Sequence, residues 1–126
     1  IVSLDLWKGA IMQRLKGFTD SSFQTAKLPL ETNEEATIRL KFSPTQYSWY
    51  FDIEYKNLIS NGNKVVLGSN LLRAFKNIIP FGLAFKSLDG VDPFKLDDFI
   101  GDDPRVKIYL LNEQDVLEVE RILYNE

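Results

Sequence analysis

The chain has 126 residues, 44% of them apolar and 13% aromatic, with a net charge of −3, a pI near 5, and neither cysteine nor histidine. Without cysteine there are no disulfides, thiolate zinc sites or cysteine nucleophiles, and without histidine the usual general base and the commonest transition-metal ligand are missing. The acidic balance argues against tight nucleic-acid binding, which rests on neutralising phosphates.

The length suits one domain with a core of its own, and no stretch approaches the ~18 apolar residues of a membrane span, so a soluble chain is expected. Residues 3–16 place Leu4, Trp7, Ile11 and Leu15 along one stripe of a helix, with Lys8, Arg14 and Lys16 off it. Ser3 suits its N-cap, Asp5 its first turn and Gly17 its end. Its mixed charges do not read as a signal-peptide core. Too short to be stable alone, this helix must pack on the domain or on a partner.

The texture then changes to period 2. TIRLKF puts Ile38, Leu40 and Phe42 on one side and Thr37, Arg39 and Lys41 on the other. After the turn residues Ser43-Pro44-Thr45-Gln46 comes YSWYFDIEY, with Tyr47, Trp49, Phe51, Ile53 and Tyr55 on one face and Ser48, Tyr50, Asp52 and Glu54 on the other. So many aromatics would make a stacking platform for sugars or bases if exposed, but the hairpin then has no face left to bury. We read them as core, with Tyr50 alone pointing outward.

Farther along, a reversal fits either Lys56-Asn57, with Gly62 as a bulge inside a strand, or Asn61-Gly62-Asn63. IIPFGLAFKSL is a strand with Phe81, Leu83 and Phe85 alternating and Pro80 at its start. Six aspartates follow between residues 89 and 103, spaced unlike an EF-hand loop and crossed by Phe94, Leu96, Phe99 and Ile100, which read as an amphipathic turn pinning the loop. We take this segment as a solvated acidic connector with helix caps rather than a calcium site. RVKIYLL is a strand with Val106, Ile108 and Leu110 inward and Lys107 and Tyr109 outward. The tail NEQDVLEVERILYNE is helical, with Val116, Val119, Ile122 and Leu123 on one face and Asn112 or Asp115 as cap.

Little here carries chemistry. Asp52 and Glu54 could be paired acids of a glycosidase, but alternating with Ser48 and Tyr50 they read as the wet face of a strand. The glycines are scattered and form no phosphate loop. No catalytic residue, cofactor or metal is assigned. Lys8, Arg14 and Lys16 make only a weak basic face toward a partner.

The order of these segments resembles the small plug proteins of phage baseplates in contractile-tailed, myovirus-like particles. The matching positions are Trp49, Asp52 and Ile53; Gly68, Leu71 and Leu72; Pro80, Gly82 and Leu83; Asp92, Pro93, Asp97 and Gly101; and Val106, Ile108 and Tyr109. The likeness covers roughly residues 18–112, and the two ends depart from it. It implies a non-enzymatic structural protein of the virion tail, assembled in the host cytoplasm and present in several copies around the tail axis. Its implied partners are hub, tail-tube and other baseplate proteins and copies of itself, with neither a membrane nor sequence-specific nucleic acid. It also favours the reversal at Lys56-Asn57.

The expected architecture is mainly β: a small antiparallel barrel or sandwich of five to six strands over residues 18–112. An N-terminal amphipathic helix (1–17) and a C-terminal helical extension (113–126) flank it. Trp7, Ile11, Leu15, Val119 and Ile122 are the expected interaction residues, since cyclic particles are held by complementary patches rather than pockets. Exposed strand edges offer a second route, by β-addition. The contrasting expectation is a free-standing β-module that binds carbohydrate or a protein ligand through Tyr50 and the acidic loop.

Overall fold

The structure, a computed structural model, describes residues 13–124. Its centre is the hairpin written by the two alternating runs. Strand β3 (Ala36–Ser43) pairs antiparallel with β4 (Ser48–Tyr55), and the register sets Ile38 against Ile53, Leu40 against Phe51 and Phe42 against Trp49. Every inward side chain therefore meets another, as pairing with period 2 requires. Tyr47 does not extend the inner row. It sits in the turn with φ +48° and is 68% exposed, because reversing the chain takes a left-handed residue there.

The next reversal is at Lys56-Asn57, with Lys56 at φ +52°, and leads into β5 (Leu58–Lys64). Within β5 the register slips: Phe51 faces Asn63 and Ile53 faces Ser60, so Asn61 and Gly62 together oppose Asp52. This is a β-bulge, and Gly62 supplies its positive φ of +70°. The Asp52 carboxylate accepts the Gly62 N–H at 2.8 Å and so fixes the bulge. On the far side of β3 lies β2 (Phe23–Leu28), giving a four-stranded sheet in the order β2-β3-β4-β5.

The second sheet has the order β1-β7-β6, with β6 (Gly82–Ser87) and β7 (Val106–Leu111) antiparallel. Its third member, β1 (Gln13–Leu15), pairs Leu15 with Ile108. The helix expected over residues 3–16 is thus corrected at its end: residues 13–15 are a strand, held by β7 rather than by local propensity. The rest of that segment, including Trp7 and Ile11, lies outside the described residues. Among the described residues there are seven strands, six of them within residues 18–112 as expected and β1 in addition, and the two sheets are not closed into a barrel.

Helix α1 (Glu113–Leu123) follows β7 directly. Asn112 is its N-cap: the Asp115 N–H donates to Asn112 Oδ1 at 2.7 Å, and the Asn112 N–H donates to Asp115 Oδ2 at 3.1 Å. This reciprocal box satisfies two N–H groups that a helix start otherwise leaves unpaired.

The facing sides of the two sheets share one core, in which Trp49 meets Phe99 edge-on with ring centroids 5.1 Å apart, Phe51 meets Phe85 and Tyr55 meets Phe81. A smaller core of Ala84, Tyr109, Leu111, Val116 and Val119 lies on the other side of the β6–β7 pair, beneath α1. Tyr109, expected outward, points away from the first core but is covered by the helix and is only 3% exposed. Alternation alone does not distinguish a wet face from one that a helix covers.

Gly82 is required by a neighbour rather than by its own torsions. A Cβ on it would lie 2.5 Å from Asn70 Oδ1, the atom that accepts the N–H groups of Leu72 and Leu83 at 3.0 and 3.2 Å. Gly→Ala in a strand is ordinarily favourable, but here the sign reverses. Gly82→Ala is expected to displace Asn70, strand two buried N–H groups and lower stability by about 1 to 3 kcal/mol in urea unfolding.

Candidate interaction surface

The aromatic strand is core. Trp49, Phe51 and Tyr55 are all buried, and the Trp49 indole N–H donates to the Lys95 carbonyl at 2.8 Å. No ring row is left for stacking on sugars or bases. Tyr50, half-buried on the outward face, bonds through its hydroxyl to Gln46, and Tyr47 is exposed in the turn before the strand.

The paired acids of β4 are held by the neighbouring strand. Asp52 pairs with Lys41 at 2.6 Å and Glu54 with Arg39 at 3.5 Å. Burial works to raise the Asp52 carboxyl, but the bonds from Lys41 and Gly62 outweigh it and hold the group below the usual carboxylate range. A general acid needs the opposite shift. The geometry makes Asp52 a clamp for the bulge.

The acidic segment is organised by one residue. Arg105 donates from Nε to Asp98 Oδ1 at 2.9 Å, from Nη2 to Asp98 Oδ2 at 3.0 Å, and from Nη1 to both oxygens of Asp89 at 2.9 Å. It also donates to the carbonyls of Val91 and Asp92, and its guanidinium lies 4.9 Å from the centre of the Phe94 ring. Asp98 is 1% exposed and accepts the N–H groups of Phe94 and Lys95 as well. Burial pushes its carboxyl upward, yet these bonds prevail and its pKa lies below the ordinary value. The Ser87 hydroxyl, the Val91 N–H and Arg105 bring Asp89 down to about 2.

Of the other four aspartates, Asp92 takes the Leu67 N–H at 2.9 Å and Asp103 pairs with Lys107 at 2.9 Å, while Asp97 and Asp102 stand exposed. Among the described residues, no three carboxylates converge as a cation site would need. The segment is not a loose connector. It is a tied structure with Arg105 as its knot.

What this structure presents is apolar. Leu88 is 87% exposed, and Val91, Phe94, Leu96 and Ile100 are each between 38% and 46% exposed. Of the apolar residues expected to pin the loop, only Phe99 does so, packing between Trp49 and Phe85. Phe94, Leu96 and Ile100, expected to pin the loop, face outward instead, and Leu88 and Val91 went unassigned because they follow no period. The one signal was apolar density within an aspartate-rich stretch.

The sequence-expected interaction residues fall in different places. Leu15 is half-buried against the main core. Val119, on the inward face of α1, is fully buried and does not reach the surface, whereas Ile122, Leu117 and Leu123 are exposed. Trp7 and Ile11 lie outside the described residues. The outer side of α1 is steadied by Glu120, buried and bonded to Arg73 at 2.8 Å and Lys76 at 2.8 Å, with the Arg73 guanidinium 3.7 Å from the Tyr124 ring centre.

No curated protein matches the chain. A family model does: that described as the cyanophage baseplate Pam3 plug gp18, over residues 12–114.

Proposed function

The chain belongs to this phage baseplate plug family, and from that premise we propose that it packs near the hub and tail tube, in several copies around the tail axis, through protein–protein contacts alone. The observation that carries the reading is the apolar set on the segment tied by Arg105. Leu88, Val91, Phe94, Leu96 and Ile100 stand exposed on a loop whose backbone is already fixed, so docking orders little that is not ordered beforehand. Exposed Asp97 and Asp102 beside them suit a partner surface of apolar pockets rimmed by lysine or arginine. Ile122, with Leu117 and Leu123, forms a second contact on α1, and Trp7, Ile11 and Leu15 are further anchors at the N-terminal end. The chain reaches its place after synthesis and assembly in the host cytoplasm.

Counting the chain against a tube subunit by quantitative mass spectrometry of purified tails tests this. A fixed ratio of a few copies per particle is expected. A chain abundant as free protein but absent from particles would leave the β-module reading instead. In the same assay Leu88→Asp, on a surface side chain, should change stability by no more than about 0.5 kcal/mol. Its incorporation should nevertheless fall at least about tenfold, the loss of roughly one buried anchor.

A further inference from the structure

Among the described strands the two sheets have four outer edges, of which one is covered, one is short and one is interrupted. β1 offers three residues among those described. Along β6, Gly68 and Phe85 exchange backbone bonds at 3.0 Å in both directions and the Leu71 N–H donates to the Leu83 carbonyl, so the segment after β5 covers that edge. On β5 the bulge interrupts the edge and turns the Gly62 N–H to Asp52. The fourth edge, β2, is six residues long and regular in its pairing with β3.

The direction of its bonds follows from one contact. The Phe42 N–H donates to the Ser22 carbonyl at 2.8 Å, so Ser22 and Phe42 are a bonded pair, and by alternation Gln24, Ala26 and Leu28 also face β3. The backbone groups of Phe23, Thr25 and Lys27 therefore face away. Those of Phe23 are held by the Ser21 hydroxyl, at 2.8 Å to its carbonyl and 3.4 Å from its N–H. Thr25 and Lys27 are left with two N–H groups and two carbonyls aimed outward, in the spacing that an added strand satisfies.

The side chains agree. Behind this edge the main core is thinly covered: Ala26 and Leu30 pack against it but stay partly exposed. In front, Phe23 is 55% exposed, with the Lys41 ammonium 5.9 Å from its ring centre on the side away from the open edge. Lys27, the charge that would ordinarily deter edge pairing, pairs back along its own sheet with Glu35 at 3.3 Å.

We propose that the open edge of β2 takes an extended segment of a different baseplate subunit, with apolar residues at alternate positions, as a fifth strand of the sheet. A second copy of this chain fits less well. Pairing β2 with β2 closes a twofold pair, whereas copies around an axis need two different complementary surfaces. Among the described strands no second edge of comparable length and regularity is left for copies to join edge to edge in a ring. The proposal rests on the baseplate reading above.

Thr25→Pro tests it, because proline there removes an outward N–H and leaves the β3 ladder intact. The variant is expected to melt like the wild type but to enter particles at least about tenfold less. Ala26→Pro, which cuts the ladder itself, should fail to fold. Amide exchange on the wild-type chain gives a reading that needs no variant. The Thr25 and Lys27 amides should exchange fast in the isolated chain and slowly in the particle, with Gln24 and Ala26 slow in both. Normal incorporation of Thr25→Pro, or equally fast exchange of Thr25 and Lys27 in the particle, would overturn the proposal. Protection of those two amides in the concentrated isolated chain would overturn it in favour of a second copy. Absence of the wild-type chain from particles would instead sink the baseplate reading, and this proposal with it.

Discussion

Arg105→Ala is expected to lower stability by about 3 to 5 kcal/mol, because it leaves Asp98 charged, 1% exposed and without its counter-ion. Phe94 and Lys95 would still donate to Asp98, but two backbone N–H groups do not neutralise a buried carboxylate. Urea unfolding measures the loss, and Asp98→Asn in the same background should recover part of it by removing the orphaned charge. If Arg105→Ala unfolds at the wild-type midpoint, the segment is not held by this pair.

The same network predicts an acid limit. Asp89 and Asp98 have folded pKa values below their ordinary value near 3.8, with Asp89 at about 2. Depressed folded values mean stability that is fully present above about pH 4 and lost as the pH falls toward 2. The Arg105→Ala variant should show a flatter acid limb over that window, since one partner of both carboxylates is gone.

Phe51→Ala is expected to cost about 3 to 5 kcal/mol as well, by a different route. Phe51 is 2% exposed, faces Leu40 across the hairpin and meets Phe85 of the other sheet at 6.1 Å between ring centres. Removing its ring opens a cavity between two sheets that neither can close alone. Tyr50→Ala, one residue away on the outward face, should cost far less. A reversal of that order in thermal melts would mean that the faces of β4 are exchanged.

The central hairpin was legible because its period, its turn residues and its buried face all agree. β7 and the body of α1 were legible for the same reason, though the sequence left Asn112 and Asp115 both open as its cap. β1 and β2 were not. Gln13–Leu15 is a strand only because β7 lies beside it, and its leucine also fits a helical stripe. β2 is an edge whose inward residues Gln24 and Ala26 are only half-buried, so its sequence carries weak alternation. The reversal at Lys56-Asn57 was left open by the residues themselves and favoured only through the resemblance, because both candidate turns have sound local chemistry. The acidic segment showed its residues but not its organiser. Arg105 stands at the head of a strand, and nothing local says that it reaches back to residues 89–98. Pairings of that kind depend on the completed fold.

The pairing of β1 with β7 ties the beginning of the described chain to its end. Each strand of the β2–β5 sheet has all its partners by residue 64, through connections short enough to form early. The β1-β7-β6 sheet has no complete membership until residue 111 is available. A chain made from its N-terminus can therefore complete the pairing of one of its two sheets during synthesis. Gln13–Leu15, the first described strand to be made, is the one that waits longest for a neighbour.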